Sequence, residues 1–191
     1  MVSQWRNFFH NAEMPFYYVQ IAPHKYKDSQ DTDAALLREA QTKALEAMPN
    51  SGMVSTTDIG DEFCIHPPQK DIVGLRLATL ALTKTYNICR LPPTGPTMTK
   101  VDYLEGKAIV TFDNASAGLT PAFCNLEGFE IAGADKKFYP AQAQIVDRTP
   151  TVRVWSEQVN QPIAVRYAFR NYVGNVLLRN TFGLAAFPFR T

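Results

Sequence analysis

The side chains with the richest chemistry lie together in one loop, Asp58 to Lys70, which has the sequence DIGDEFCIHPPQK. The loop contains one histidine, His66, with Asp61, Glu62 and Cys64 close to it in sequence. An imidazole has an unperturbed pKa of about 6.5, so His66 can accept a proton from a nucleophile near neutral pH. A surface histidine without a chemical role gives the same pattern and is the more common case. By themselves, the residues make His66 a candidate base and no more.

The cysteines and the other histidines are weaker candidates. A pair formed by Cys64 and His66 could be nucleophilic, but a buried and inert thiol is the favoured interpretation, because free cysteine is among the most buried residue types. The chain has three widely spaced cysteines without a CxxC pair, and they are Cys64, Cys89 and Cys124. This number and spacing argue against a disulfide framework and against a zinc site. His10 and His24 are predicted to be ordinary surface histidines, and no cofactor is predicted.

The elements around the loop alternate between strand and helix. The apolar run 16–22 and the segment 53–59 are predicted strands, whereas 33–48 and 70–86 show helical spacing of their apolar residues. Asp31, Thr32 or Asp33 is expected to cap the first of these helices. The order strand, helix, strand, helix is typical of an α/β layer with parallel strands, in which sites lie beyond the carboxyl ends of the strands. The loop with His66 occupies such a position.

The pattern changes near Pro92. From there on, short runs with a period of two alternate with turn residues. Strands are predicted over 107–113, 128–133, 139–146, 151–156 and 162–170. Six or seven strands in about 95 residues indicate an antiparallel β-sandwich. We therefore predict two domains, an α/β domain over residues 1–92 and an all-β sandwich over 93–191. Two parallel strands do not make a stable sheet, because such a sheet must be covered on both faces. The first domain is expected to associate with further strands or with itself.

Composition excludes some classes of function. The 191 residues carry a net charge of +1, and lysine and arginine are scattered rather than clustered into a basic stripe, so nucleic acid is not a predicted partner. No apolar run reaches the roughly 18 residues of a membrane-spanning helix, so a membrane is not predicted either. Glu13 and Pro15 interrupt the apolar N-terminus, and no signal peptide is predicted.

Several stretches resemble one enzyme family. The string DIGDEFCIHPPQKDIVGLRLATLAL resembles the Asp-Ile-Gly-Asp, Ile-His-Pro, Gln-Lys and Gly-x-Arg-Leu run of sialate O-acetylesterases, also called sialic acid-specific 9-O-acetylesterases. Five other stretches resemble the same family and occur in the order expected for it: PFYYVQIAP, LREAQTKAL, GFEIAGADKKFYPAQAQI, VRYAF and PFRT. These esterases belong to the SGNH hydrolase superfamily, and the chain is similar to their C-terminal portion. The resemblance implies the end of a flavodoxin-like, three-layer α/β domain followed by a β-sandwich.

The resemblance also implies a chemistry. These enzymes remove acetyl groups from sugar hydroxyls with a serine nucleophile, a histidine base and an oxyanion hole. Of these catalytic groups, only the histidine has a counterpart in this chain, and that counterpart is His66. The superfamily usually has an aspartate three residues before it, where this chain has Phe63. Asp61, Glu62 or a backbone carbonyl is left to orient the ring, and Asp61 is our candidate.

The family's serine motif has no counterpart here, because no glycine is followed two residues later by serine. The expected function is that of a C-terminal portion of a carbohydrate (sialate) O-acetylesterase, with an acetylated sugar as substrate and without activity by itself. Its expected partner is the missing N-terminal half, or a second copy of the chain. The family would place the full-length protein in the periplasm or outside the cell, although the sequence itself names no compartment.

Two alternatives stay open at this point. One is a non-catalytic carbohydrate-binding or interaction module built on the β-sandwich, in which His66 has no chemical role. The other keeps the esterase and changes the sugar, as in an acetylxylan-type esterase fragment. Whether the chain is part of an enzyme is therefore undecided by its sequence.

Overall fold

The protein has a mixed α/β fold in a computed structural model that describes residues 1–27, 31–88, 90–147, 149–174, 176 and 178–191. Its helices are α1 (Val2–Phe8), α2 (Asp33–Ala47) and α3 (Lys70–Lys84). Its strands are β1 (Phe16–Val19), β2 (Ser51–Val54), β3 (Thr97–Leu104), β4 (Lys107–Asp113), β5 (Leu119–Thr120), β6 (Phe129–Ala132), β7 (Phe138–Pro140), β8 (Gln142–Ile145), β9 (Thr151–Trp155), β10 (Ala164–Tyr167), β11 (Arg179–Asn180) and β12 (Phe189–Arg190). Within these described residues no helix combines the length and hydrophobicity needed to cross a membrane.

The first part of the chain is a parallel strand pair with helices packed against it. β1 and β2 run parallel, and their register extends from Phe16 opposite Ser51 to Val19 opposite Val54. Leu80 of α3 is fully buried against this pair. A Cβ atom on Gly52 would lie 2.9 Å from Leu80 Cδ2, so the absence of a side chain at Gly52 lets helix and strand approach closely. The predicted order of strand, helix, strand and helix is present.

The predicted second strand is displaced. We expected it over 53–59, whereas β2 spans Ser51–Val54. The three hydroxyl residues after β2 leave the ladder and bond elsewhere: Ser55 Oγ lies 2.6 Å from Thr57 Oγ1, and Thr56 Oγ1 donates to the carbonyl of Gln20 over 2.9 Å. Serine and threonine side chains compete with ladder hydrogen bonds in this way, which explains the early end of the strand.

The second part of the chain is antiparallel. Two four-stranded sheets have the orders β3-β4-β9-β8 and β12-β10-β6-β7, and β5 pairs with β11. Both large sheets contribute to one hydrophobic core, in which Val110 and Val154 of one sheet and Ile131 and Val165 of the other are fully buried. No helix occurs in the described residues between 100 and 170. The antiparallel pattern inferred from the period of two is therefore observed.

The strand count was underestimated. The run 139–146 was predicted as one strand, but β7 ends at Pro140 and β8 begins at Gln142, and the two belong to different sheets. Proline has no N–H to donate to a ladder, so it suits the place where the chain leaves one sheet for the other. β3, β5, β11 and β12 were not predicted, and three of these four strands are only two residues long.

The parallel and antiparallel parts contact each other closely. The buried Asn171 accepts a hydrogen bond from the backbone N–H of Ala34 over 2.8 Å, and this side chain caps the start of α2. Thr32 is the N-cap residue but makes no side-chain cap bond, so the predicted local capping is replaced by a residue 137 positions away. The change to antiparallel pairing falls between β2 and β3, that is, between Val54 and Thr97. The division into two separate domains stays a prediction.

Candidate active site

The loop with His66 lies at the carboxyl end of β2, between that strand and α3. In sheets of parallel strands, ligands bind beyond this end of the strands. Residues 20–26, which follow β1, reach the same edge, because the carboxyl ends of neighbouring parallel strands meet there. Two segments from different parts of the sequence therefore form one surface, and the hydrogen bonds described below join them.

Asp58 anchors the beginning of the loop. Its side chain is 3% exposed and accepts two hydrogen bonds of 2.8 Å from Arg76 of α3. Arg179 of β11 places its Nη2 2.9 Å from Asp58 Oδ2. Arg76 also donates to the carbonyl of Ser55 over 2.8 Å. One buried carboxylate thus fixes the loop to a helix and to the antiparallel part of the chain, and its role is structural.

Asp61 holds the turn that precedes His66. Its Oδ1 accepts the backbone N–H groups of Phe63 and Cys64 over 2.8 Å and 2.7 Å. These two hydrogen bonds stabilise the carboxylate, and they lower the pKa of Asp61 below its ordinary value. Neither bond involves Oδ2. Asp61 therefore stabilises the turn through Oδ1, and Oδ2 takes no part in these two hydrogen bonds.

Residues 20–26, which follow β1, pack against the loop and bond to it. The backbone N–H of Asp61 donates to the carbonyl of Pro23 over 3.2 Å, and Lys25 Nζ lies 2.7 Å from Glu62 Oε1. A Cβ atom on Gly60 would lie 2.4 Å from the carbonyl oxygen of Pro23, so the contact requires glycine at this position. The loop therefore packs tightly against Pro23 at Gly60.

His24 belongs to this surface, contrary to our expectation of an ordinary surface histidine. Its ring is half-buried, and Nδ1 lies 3.1 Å from the carbonyl oxygen of Asp61. A carbonyl oxygen only accepts, so Nδ1–H is the donor in this contact. The position of His24 just after a parallel strand is a signal that could have grouped it with the loop. His10, by contrast, is exposed, as predicted.

His66 is presented to solvent. Its side chain is exposed, the next residue, Pro67, is buried, and Sγ of Cys64 lies 3.3 Å from the carbonyl oxygen of His66. The imidazole makes no hydrogen bond to any other residue that the structure describes, including Asp61. The exposed ring of His66 can therefore meet a partner that is not among the described residues.

The thiols differ from the prediction. Cys64 and Cys124 are free and exposed, so the interpretation of Cys64 as a buried thiol is wrong. The turn that Asp61 holds lies at the surface, and residues 63–66 in it are all exposed. Cys89 lies outside the described residues. Among the residues that are described, no three His, Cys, Asp or Glu side chains lie close enough together to hold a metal ion.

Comparison with solved structures adds the decisive observation. The chain matches the crystal structure of a carbohydrate acetylesterase from Xanthomonas citri with 37% sequence identity and a TM-score of 0.90. Over its whole length, this chain is similar to part of a carbohydrate acetylesterase. The match covers 100% of this chain and 44% of the acetylesterase, so the chain spans less than half the length of that enzyme. No family model and no curated protein matches the sequence.

The similarity places the antiparallel sheets, the helices and the loop of His66 in one esterase-related fold. It extends through both parts of the chain, including the strand β11 that carries Arg179. Nothing in the sequence indicated the pairing of Arg179 with Asp58, because the two residues are separated by 121 positions.

Proposed function

We propose that this chain is the histidine-bearing portion of a carbohydrate O-acetylesterase, with His66 as the general base. The observation that carries the proposal is the full-length match to a carbohydrate acetylesterase at 37% identity. The exposed imidazole of His66 at the carboxyl end of a parallel strand supports it. The serine nucleophile and the oxyanion donors belong to the part of the enzyme that this chain does not cover.

In the proposed reaction, His66 takes up and gives back one proton in each of two steps. It takes the proton of the serine hydroxyl while the serine oxygen bonds to the acetyl carbonyl carbon. It then gives that proton to the sugar oxygen as the ester bond breaks and the free sugar hydroxyl leaves. In the second step the same ring takes a proton from a water molecule, whose oxygen bonds to the acetyl carbon. The bond to the serine oxygen breaks, the ring returns the proton to that oxygen, and acetate is released. The hydrogen bonds of Asp61 to the loop backbone hold the turn from which His66 projects.

The orientation of His66 is a second part of the proposal. Asp61 Oδ2 is our candidate to accept the far ring N–H, while Oδ1 continues to hold the turn. Glu62 is tied to Lys25 by its Oε1. A backbone carbonyl would serve the same purpose and leave a dyad of serine and histidine.

The proposed sugar follows from the resemblance of the loop to sialate O-acetylesterases of the SGNH superfamily. We propose an O-acetylated sialic acid as the first substrate to test, and acetylated xylan as the alternative. A non-catalytic carbohydrate-binding module is the competing function, and it predicts that no hydrolysis depends on His66.

We also propose that β1 pairs with a further strand. Among the described residues β1 has a strand partner, β2, on one side only. Phe16 and Gln20 donate their N–H groups to the β2 side, and in a parallel ladder the N–H groups of Tyr17 and Val19 then face the other side. The proposed partner is the remaining part of the esterase, or a second copy of this chain when that part is absent.

The test is a chimera in which this chain replaces the matching portion of the Xanthomonas citri acetylesterase. Acetate release is measured on acetylated N-acetylneuraminic acid, acetylated xylan and an aryl acetate. The chain alone is expected to release no acetate from any of them. The chimera is expected to be active, and His66→Ala should lower its kcat by about 10² to 10⁴-fold, the usual contribution of a general base.

His10→Ala is the matched control, because His10 is an exposed histidine outside the loop. It should leave the chimera fully active. A folded chimera that hydrolyses all substrates equally well with and without His66 would refute the assignment of His66 as the base. A folded chimera without any hydrolysis would favour the non-catalytic module.

A further inference from the structure

The backbone of Asp61 is held from outside the loop by two consecutive residues. Its N–H donates to the carbonyl of Pro23 over 3.2 Å, and its carbonyl oxygen lies 3.1 Å from Nδ1 of His24. The first bond joins two backbone groups, whereas the second requires a side chain with a donor at the position of Nδ1. Of the two bonds, only the one from His24 is therefore specified by residue type.

The side chain of Asp61 connects this backbone to the turn before His66. Oδ1 accepts the N–H groups of Phe63 and Cys64 over 2.8 Å and 2.7 Å. These two bonds fix the turn relative to the rest of the protein only if Asp61 is itself fixed. Residues 63–66 are all exposed, so the turn has no buried side chain of its own to hold it. The position of His66 therefore depends on how firmly the backbone of Asp61 is held.

His24 is fixed by residues that lie outside the loop. Its backbone N–H donates to the carbonyl of Asn171 over 3.1 Å, and Asn171 is fully buried and caps α2. The rings of His24 and Tyr26 meet edge to face, with their centroids 4.9 Å apart and their planes at 84°, which is a preferred arrangement of aromatic rings. A donor whose own orientation is fixed in this way holds its acceptor in one place.

The neighbouring contacts, between Lys25 and Glu62, are weaker. Their side chains are 64% and 32% exposed, and exposed ion pairs contribute little because water and salt screen them. Their backbone bond, from the N–H of Lys25 to the carbonyl of Glu62, is 3.3 Å long, beyond the usual range of about 2.7–3.2 Å. The bond from the half-buried ring of His24 is therefore better placed to hold the loop.

We propose that His24 is a positioning residue for the candidate base: its Nδ1–H holds the carbonyl of Asp61 and so fixes the turn from which His66 projects. The effect on catalysis rests on the proposed function of His66. His24 acts through Asp61 and needs no contact with the substrate. A misplacement of about 1 Å in an active site can cost about 10²-fold in rate, so loss of this bond should be visible in kcat.

Two amide substitutions separate the Nδ1–H from the rest of the ring. The side-chain nitrogen of asparagine is the same number of bonds from Cα as Nδ1 of histidine, whereas that of glutamine corresponds to Nε2. His24→Asn therefore keeps a donor near the carbonyl of Asp61, and His24→Gln moves the donor away from it. Both variants lose the ring contact with Tyr26, so a role in packing alone would change both of them alike.

The first measurement is the activity of the chimera with the Xanthomonas citri acetylesterase on the aryl acetate. His24→Gln should lower kcat by about 10 to 10²-fold and leave KM nearly unchanged, because the base acts on the chemical steps and not on binding. His24→Asn should retain most of the activity, although its Tm should match that of His24→Gln. His10→Asn and His10→Gln are the matched controls at an exposed histidine outside the loop, and they should leave kcat unchanged.

The second measurement requires no activity and uses the chain alone. It follows the exchange of the amide protons of Phe63 and Cys64 with solvent by nuclear magnetic resonance, because these protons are protected by the bonds to Asp61. Exchange should be at least about tenfold faster in His24→Gln than in the unaltered chain. In His24→Asn it should stay close to the rate of the unaltered chain.

Each alternative result for His24 is decisive. Equal losses of kcat in the asparagine and glutamine variants, unchanged kcat in both, or equal exchange rates in both would overturn the positioning role. Activity restored by glutamine alone would overturn it as well, because Nε2 would then be the acting atom. A folded chimera that is inactive with His24 in place would remove the proposed function, and the exchange rates would then decide by themselves whether His24 holds the turn. The two proposals therefore fail separately.

Discussion

Asp58 and Asp61 have different environments although they are three residues apart. Asp58 is buried between two guanidinium groups, whereas Asp61 lies at the surface and accepts backbone N–H groups. Spacing in the sequence does not separate these roles, because the partners Arg76 and Arg179 come from distant elements. The position of the loop with His66 between a strand and a helix could be predicted from the sequence, since the apolar pattern changes on either side of it. The role of Asp58 as the anchor of the loop could not be predicted, because it depends on tertiary contacts with Arg76 and Arg179.

Removal of the Asp58 carboxylate should destabilise the fold strongly. Asp58→Ala leaves the guanidinium of Arg76, which is 6% exposed, without its partner. Loss of one partner from a buried ion pair costs about 3–5 kcal/mol. Urea denaturation should show this loss in the free energy of unfolding. Asp102→Ala, which breaks an exposed pair with Lys100, should cost less than about 1 kcal/mol. Similar costs for both variants would show that Asp58 is not an anchor.

The hydrogen bonds of Asp61 should be visible in a pH titration. The backbone N–H groups of Phe63 and Cys64 lower the pKa of Asp61 below its ordinary value of 3.8. A depressed pKa in the folded state stabilises the fold above the unfolded pKa, and this contribution is lost as the pH falls through the folded value. The amide resonances of Phe63 and Cys64 should titrate with a midpoint below 3.8. In Asp61→Asn this titration should vanish, and a midpoint at or above the ordinary value would contradict the hydrogen bonds.

At the scale of the elements, periodicity predicted the helices well. The predicted spans 33–48 and 70–86 correspond to α2 (Asp33–Ala47) and α3 (Lys70–Lys84). The strands were less predictable, because β7 and β8 are separated by one residue and β5, β11 and β12 have only two residues each. Such short strands exist through their pairing and leave no period in the sequence. α1 was not predicted either, since its seven residues are too few for a clear helical period.

Two glycines near the candidate site should respond to alanine in opposite directions. In Gly60→Ala the new Cβ atom would lie 2.4 Å from the carbonyl oxygen of Pro23, so the loop must move and Tm should fall. Gly74 lies on the exposed face of α3, where a Cβ atom has no neighbour within 4 Å. Gly74→Ala should therefore stabilise the protein by about 0.5–1 kcal/mol, the difference in helix propensity. Thermal denaturation of both variants tests the close contact between Gly60 and Pro23. An unchanged Tm in Gly60→Ala would refute that contact.

At the scale of the whole molecule, exposed apolar surface is distributed unevenly. In the described residues up to 88, twelve large apolar side chains are between 41% and 85% exposed: Met1, Trp5, Phe8, Phe9, Leu36, Leu37, Phe63, Ile65, Leu75, Leu82, Tyr86 and Ile88. In the described residues from 90 on, six such side chains are at least 36% exposed: Leu91, Tyr103, Leu104, Phe123, Ile163 and Phe182. This part also has a large core that its two sheets share. Apolar residues on this scale mark interaction surfaces in soluble proteins, and most of them lie in the part of the chain that contains the one-sided strand β1.

The one-sided strand leads to a prediction about assembly. The edge of β1 away from β2 has no strand partner among the described residues. The side chain of Gln41 bonds only to its end, where Oε1 accepts the N–H of Ile21 and Nε2 lies 3.5 Å from the carbonyl oxygen of Val19. A strand edge without a partner strand is a template for pairing, so the chain alone is expected to associate with itself in a concentration-dependent way, as measured by sedimentation velocity. Val19→Pro removes the N–H that faces away from β2 without removing a hydrogen bond between β1 and β2. It should weaken association at least tenfold. Val19→Ala keeps that N–H and shortens the same side chain, so it should associate like the unaltered chain. A chain that stays monomeric at high concentration, or equal association of both variants, would show that the edge of β1 is not the contact.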